Sequence, residues 1–505
     1  MGIPYYFYHL TKKYRNIIVN ELPKEIYVYA IDFNGIIHPE ASKETREPQL
    51  FENLWNKIND YNQSYNPEVI LICIDGVAPL AKIIQQRKRR YLTIFKNKLD
   101  KIDVKWDTNA ISCGTIFMKN LDNYLKNKID ENDNNNQKSN FILDGSLNNG
   151  EGEHKIFTHL KSLLKDNNND NDNKKAIVIN GLDADLIILS LLSGIDNIYL
   201  MRENNDNTIY VNVDNLKNSL LEELRPKWPL LDDIEIIESY CVMCSILGND
   251  FIPHITTLNM KNNGLNKLID ITTKAINSNG ALVSSNEINK GCLTAIFTLI
   301  AESEDNDMIE EVASFMKKRP SSSVMNSNEY GLKNKDNLLS DIYNNNRKWR
   351  YYYYKSLFDI NINYDSSLIS TIVATFIKGI YWTYNYYKKF DLDYEWFYPY
   401  NYPPTTRDIS NYLSVNEIDA IKQNGTFLLP KTQLLLILPI QSNHLLDYDS
   451  NLKSFTIDSK KGFIHLFPKE FKIQTFLKTQ LHECSPILPM INIEKIIKIN
   501  KASLV

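Results

Sequence analysis

Residues 69–90 read VILICIDGVAPLAKIIQQRKRR, and the two halves of the stretch belong to different kinds of structure. The first half is an apolar, β-branched run of the length of a buried strand, and it stops on Asp75. The second half opens a helical pattern at Lys82 that carries Arg87, Lys88, Arg89 and Arg90. Two further runs end as the first half does: IYVYAID closes on Asp32, and AIVINGLDAD runs into Asp183 and Asp185. Helical patterns separate the three, as βαβ units require, and in parallel sheets the groups at the carboxyl ends of the strands meet in one crevice. The pattern predicts an α/β fold with a mainly parallel sheet.

Two more acidic positions join that crevice. In GEGEHKIF, Glu151 and Glu153 open a helix after a glycine-containing turn, and in CSILGNDF, Asp250 follows an apolar segment. Taken singly, an Asp after a strand is more often a turn former or helix cap, and a Glu in a first helical turn serves the helix dipole. Recurrence at every strand end is what favours a site. So many carboxylates at close range repel strongly unless divalent cations neutralise them, and hard oxygen ligands suit Mg²⁺ or Mn²⁺, a pair of which activates water and stabilises the leaving oxygen of a phosphodiester. On the basic helix, Lys82, Gln86, Arg89 and Arg90 fall at i, i+4, i+7 and i+8 and share a face, while Arg87 and Lys88 point elsewhere. A solvated surface is the ordinary meaning of such a face. Its start lies close to Asp75, however, and guanidinium groups suit a phosphate held there.

The rest of the chain sets bounds. Its 505 residues are 43% apolar with a formal net charge of −4, so a large core is available and a polyanion must meet a local patch. No apolar run is long enough to span a bilayer and no secretory pattern opens the chain, which predicts an intracellular protein without a membrane partner; the want of a basic targeting cluster other than the helix at Lys82 favours the cytoplasm, with the nucleus as the alternative. Six cysteines argue against a disulfide framework; Cys241 and Cys244, in ESYCVMCSILG, read as core thiols. The asparagine-rich stretches 127–140 and 165–175 read as solvated insertions within a first domain, 1–270; 271–342 reads as a connecting segment, and 343–505 as a mostly helical, aromatic-rich second region.

Six stretches, MGIPYYFYHLTKKYR, IDFNGIIH, IDGVAPLAKIIQQRKRR, GEGEHKI, GLDADLIIL and LGNDFIPH, stand in the order found in the Xrn family of 5′-to-3′ exoribonucleases, and the sequence resembles that family closely over 1–260. WRYYYYKSLF, GIYWTYNYY, FLLPKTQLLLILP and HLFPKEF are similar to its second conserved region. The resemblance implies a PIN- or FEN-like nuclease core that degrades single-stranded RNA bearing a 5′-monophosphate processively to mononucleotides. It implies two Mg²⁺ or Mn²⁺ ions on Asp32, Asp75, Glu151, Glu153, Asp183, Asp185 and Asp250, and a 5′-phosphate pocket of Lys82, Gln86, Arg89 and Arg90. It implies base stacking by His38 and Trp396, a monomer, and association with decapping machinery. The sequence departs from the family at Cys113 and Ile116, where a proline and an acid are usual, and in LHECSPILP, which lacks the expected Trp-Gln. A FEN-like DNA nuclease and an inactive RNA-binding scaffold are the alternative readings; the basic face favours the first reading over the DNA nuclease, and the full set of acids favours it over the scaffold.

Overall fold

The computed structural model describes residues 3, 5–102, 106–134, 140–166, 175–181, 183–204, 207–317, 337–388, 392–418, 421–458 and 463–496. The first half runs α1 (Tyr6–Lys13), β1 (Ile18–Val19), β2 (Ile26–Asp32), α2 (Asn34–Lys43), α3 (Glu47–Tyr65), β3 (Val69–Cys73), α4 (Leu80–Asp100), α5 (Ile116–Asn134), β4 (Asn140–Asp144) and α6 (Gly152–Asp166). It continues through β5 (Ala176–Asn180), α7 (Asp185–Ser193), β6 (Ile198–Asn204), β7 (Asn207–Asn212), α8 (Val213–Leu224) and α9 (Asp233–Ser245). The strands form one 7-stranded sheet in the order β1-β7-β6-β5-β2-β3-β4. From β4 to β6 all pairings are parallel, and β7 and β1 close one edge antiparallel. Strand order reverses between β2 and β5, so the crevice at their carboxyl ends is a topological switch point.

Every residue of β3 and β5 is buried, because helices cover both faces. Alternation sorts the side chains. Val28, Ala30, Leu71, Cys73, Ile177 and Ile179 face a core shared with α6 to α9. Tyr29, Ile31, Ile70, Ile72 and Val178 face a second core closed by the apolar stripes of α3 and α5.

The second half is helical: α10 (Gly264–Asn279), the hairpin β8 (Val283–Ser284) and β9 (Glu287–Ile288), α11 (Lys290–Lys317), α12 (Asn337–Asn344), α13 (Trp349–Phe358), α14 (Ser366–Lys388), α15 (Thr406–Val415), α16 (Pro430–Ile437) and α17 (Ser450–Ile457). Its helices do not form a separate body. The larger core extends from Ile3 to Phe476, and a third joins Leu80, Ile83 and Ile84 of α4 to Leu434–Leu438. No helix among the described residues is long and apolar enough to cross a membrane.

Two expectations about organisation need correction. Residues 127–134 complete α5, with Ile129 buried one turn beyond Leu125, and Asn140 opens β4. The asparagine run hid a helix whose apolar positions still fall at i and i+4; its remainder, 135–139, and 167–174 lie outside the described residues. Nor is 271–342 merely a connection: α10 and α11 pack on each other, and α11 on α15, with Leu293, Ile296, Phe297 and Ile300 buried. The proline- and serine-rich part, 318–336, lies outside the described residues.

Close packing between the halves gives a direct test. A Cβ at Gly379 on α14 would stand 2.5 Å from Ile252 Cγ2 and 2.8 Å from the Trp396 ring. Gly379→Ala gains about 1 kcal/mol of helix propensity but overpacks at a cost of about 1–3 kcal/mol, and neither neighbour has a free end to move. The variant is expected to lose up to about 2 kcal/mol in urea unfolding.

Candidate active site

β2 ends on Asp32, and Phe33 N–H donates to the carbonyl of Cys73 at 2.9 Å, which holds the ends of β2 and β3 side by side. The loop after β3 is fixed on two sides. Ile74 N–H donates to Asp144 O, and Gln433 from the second half brackets the turn, accepting from Ala78 N at 2.8 Å and donating to Gly76 O at 3.1 Å. Asp75 is thereby aimed at the start of α6, where its Oδ1 accepts from Gly152 N at 2.7 Å. The approach is so close that a Cβ on Gly152 would lie 2.8 Å from Asp32 Oδ1. Glu151 and Glu153 flank that glycine, and Lys155, one helical turn after Glu151, donates to the carbonyls of Ile74 and Gly145 at 2.7 and 2.8 Å. Asp183 follows β5 and Asp185 opens α7. Asp250, in the loop after α9, comes in from the side.

All seven predicted acids are joined in one network of pairwise electrostatic interactions. Glu151, Glu153 and Asp185 are buried at 4%, 5% and 3% exposure. Burial raises Asp32 well above the usual carboxylate range, assisted by repulsion from Asp75 and Asp183. Burial likewise raises Glu153, pushes Glu151 up to about 7 and, with the charge of Asp250, lifts Asp185 to about 6. Asp250 is the exception: burial is the largest single influence and opposes ionisation, but the charge and hydrogen bond of Lys82, with Arg89 and other nearby positive charge, together outweigh it and hold the group at about 2.

Lys82 is not where the helical face predicted. Its ammonium turns into the acids, 2.6 Å from Glu151 Oε1 and 3.0 Å from Asp250 Oδ2, instead of joining the guanidinium groups of α4. The outer oxygens of Glu151 and Glu153 are buried with no hydrogen-bond partner. Glu151, Glu153 and His154 each offer one ligand atom, a carboxylate oxygen or a ring nitrogen, all within 4.8 Å of one another. One lysine among seven acids and two orphaned carboxylate oxygens fit a hard divalent cation.

The remaining predicted residues divide. Arg89 is exposed, and Arg90 donates to Asn109 Oδ1 at 2.6 Å. Gln86 is half-buried on the same helix. His38, one turn into α2, is exposed yet near enough to feel both arginines and Asp75; partial loss of solvent, then Arg89 and Arg90, bring it down to about 4, which favours the neutral ring at physiological pH. Trp396 departs from expectation. It is 6% exposed and packs against Trp382 with ring centroids 5.0 Å apart, a core residue in this conformation and not a ring open to a base. Cys241 and Cys244 are buried thiols, as read. Sequence reasoning missed Gln433, Asn109 and Lys155 as supports of the site. Only Lys155 had a signal, its i+4 spacing from Glu151; the other two act across hundreds of residues or from an irregular loop.

Comparison with known proteins agrees with this geometry. Residues 1–204 match the family profile described as "XRN 5'-3' exonuclease N-terminus", and 231–331 and 311–502 match "Xrn1 helical domain". The chain belongs to the XRN 5'-3' exonuclease family. It is 25% identical to human 5'-3' exoribonuclease 1 over 99% of this chain, and 22% identical to the Drosophila melanogaster 5'-3' exoribonuclease 2 homolog over 99%. It is also 23% identical to 5'-3' exoribonuclease 1 of Schizosaccharomyces pombe over 98%. The matched part makes up 34% of the human protein, 70% of the fly protein and 48% of the yeast one.

The raised acids set a pH dependence for the cation-free protein. Glu151 at about 7 and Asp185 at about 6 stand above their unfolded values near 4, so between about pH 4 and 7 these groups hold more protons in the folded state and their contribution to stability falls as pH rises; His38 and His254, both brought down to about 4, contribute in the opposite sense below about pH 6.5. In EDTA the melting temperature is expected to drop from about pH 6.5 to 7.5, where the histidines no longer oppose the acids. Millimolar Mg²⁺ or Mn²⁺ is expected to reverse the trend, since binding to the ionised folded state adds stability by mass action.

Proposed function

We propose that the protein is a processive 5′-to-3′ exoribonuclease that hydrolyses single-stranded RNA carrying a 5′-monophosphate. The observation that carries the reading is the adjacency of two opposite fields: buried acids with orphaned oxygens on one side, and Arg89, Arg90 and a neutral His38 beside Asp75 on the other. Asp32, Asp75, Glu151, Glu153, Asp183, Asp185 and Asp250 would hold two Mg²⁺ or Mn²⁺ ions, which supply an activated water and charge stabilisation at the leaving oxygen. The chain's own groups do the rest. Arg89 and Arg90, with Gln86, bind the terminal phosphate; the hydrogen bond to Asn109 fixes the Arg90 fork before substrate arrives. Lys82, held by Glu151 and Asp250, puts positive charge between the acids and that phosphate. The uncharged ring of His38 stacks on a base at the mouth. Because stacking is sequence-tolerant and worth about 1–3 kcal/mol per base, it retains the shortened strand between cleavages.

Digestion of end-labelled RNA bearing 5′-monophosphate, 5′-hydroxyl or 5′-triphosphate ends, with and without Mg²⁺, tests the assignment. Rapid loss of the monophosphate substrate alone, and only with the cation, is expected; equal attack on matched DNA would favour a DNA nuclease. Arg89→Ala removes a charge-assisted contact worth about 1.5–3 kcal/mol and is expected to weaken the monophosphate substrate tenfold or more. An undiminished preference for monophosphate over hydroxyl ends in that variant would refute the pocket. Asp185→Ala is expected to abolish turnover while leaving the fold intact. With excess unlabelled RNA added after the start, His38→Ala is expected to release a ladder of partly shortened products where the wild type leaves none.

A further inference from the structure

A cavity of about 860 Å³ extends from Asp250 and Arg89 between the flank of α4 and residues 477–486. Its charges do not balance within the protein. The acids that reach it are already engaged: Asp250 by Lys82, Glu483 by Lys261 at 2.9 Å, and Glu311 by Asn262 at 2.9 Å. Two cations on opposite walls have no such partner. On α4, Arg87 turns away to the carbonyls of Leu466 and Pro489, which leaves Lys88 to face the cavity, where burial and the charge of Arg87 bring it down to about 8. On the far wall, Lys478 sits 3.4 Å from His254 Nε2 and over the Tyr402 ring at 5.5 Å, lowered chiefly by loss of solvent. His254 adds no negative charge. Burial keeps it neutral, at about 4, and donation from Nδ1 to Ile255 O leaves the Nε2 lone pair to orient the ammonium. Among the described residues neither Lys88 nor Lys478 has a carboxylate within ion-pair distance.

The backbone supplies an independent observation. Leu477 holds φ at +56°, a left-handed conformation that a bulky residue rarely adopts and that persists only where the surroundings enforce it. This strained residue lines the cavity and precedes Lys478. The rings of Phe251 and Tyr400 also line the cavity. Half-buried cations with no carboxylate in ion-pair range, though Glu483 exerts some pull on Lys478, a strained residue that precedes one of them, and ring walls together describe a site for an anion with a flat apolar part.

We propose that this cavity is a further nucleotide-phosphate subsite that adjoins the 5′-phosphate pocket at Arg89, in which Lys478 and Lys88 bind phosphate oxygens and the rings receive base or ribose. The identity of the nucleotide rests on the exoribonuclease reading; the recognition of phosphate does not. The phosphate has two possible sources, a linkage further along the bound RNA or the mononucleotide just released.

Equilibrium binding in EDTA, where no strand is cut, separates the two. Fluorescence anisotropy of 3′-labelled, 5′-phosphorylated trimers and decamers is measured for the wild type, Lys478→Met and Lys88→Met, with uridine 5′-monophosphate and inorganic phosphate as competitors. If the site holds a chain linkage, either variant is expected to weaken the decamer roughly fivefold or more, spare the trimer, and reduce the salt slope by about 0.7, the loss of one phosphate contact on a single strand. If it holds the released nucleotide, the variants weaken uridine 5′-monophosphate and inorganic phosphate instead. Lys478→Arg, which keeps the charge, is expected to retain most of the affinity, and Lys88→Met carries the test should Lys478→Met melt early. Unchanged affinity for all four ligands in both folded variants would overturn the proposal. Should the wild type fail to digest monophosphate RNA in Mg²⁺ while Lys478→Met still loses phosphate affinity, the subsite stands and the exoribonuclease reading falls.

Discussion

Glu151 and Asp250 each place an oxygen within hydrogen-bond reach of one ammonium, that of Lys82, at 2.6 and 3.0 Å. Around that ammonium the fold gathers five more carboxylates in a space that excludes most water. Burying a charge costs several kcal/mol even after relaxation, and like charges at this range add to the cost, so one lysine does not neutralise the set. The excess shows in two ways: burial and mutual repulsion favour the protonated forms of Asp32, Glu153, Glu151 and Asp185, and Glu151 Oε2 and Glu153 Oε2 are buried without a hydrogen-bond partner. Both describe a structure arranged for cations. The rest of the architecture can be read as what holds these groups together against their repulsion.

That work is shared between the halves of the chain. The parallel sheet aims Asp32, Asp75 and Asp183 at the switch point, but the loops that carry them are not self-supporting. Gln433 binds both sides of the turn after Asp75, the carbonyl of Tyr394 accepts from Leu80 N at the start of α4, and Tyr386 O pairs with His154 Nε2 at 3.0 Å. These contacts span more than two hundred residues. They also remove water from α4 and α6, and this raises the stakes of each charge inside, since a lower local dielectric strengthens repulsion and attraction alike.

How much of this was legible in the sequence follows from the range of the forces involved. The strand-end aspartates were legible because a fully buried parallel strand must be a continuous apolar run, and where it stops a carboxylate has few other reasons to recur. The cation face of α4 was legible as a face, but not in its direction at each turn. Helical periodicity grouped Lys82 with Arg89 and Arg90, whereas the turn holding Ala81, Lys82 and Ile83 is buried and leads into the acids. Trp396 failed for a related reason: its motif told where it stands in the chain, but its burial depends on Trp382 and on a glycine at 379, which lie on a helix it meets only in three dimensions. Gln433, Asn109 and Leu477 carry no local pattern at all. Their roles exist only once the second half is folded against the first.

The same coupling bears on how the site distinguishes two kinds of positive charge. Lys82 and Arg87 are both buried on α4, yet one is spent on carboxylates and the other on the carbonyls of Leu466 and Pro489. The carbonyls neutralise no charge, so Arg87 braces the helix against the C-terminal segment without drawing on the acids. Arg90, tied to the neutral amide of Asn109, is likewise kept from collapsing onto Asp75 or Asp250. A helix so rich in cations beside so many acids would otherwise pair off its charges internally and leave nothing for a phosphate. Neutral partners for Arg87 and Arg90, and a carboxylate partner for Lys82 alone, keep the two fields apart at close range, and that separation is what an incoming polyanion and its metal ions require.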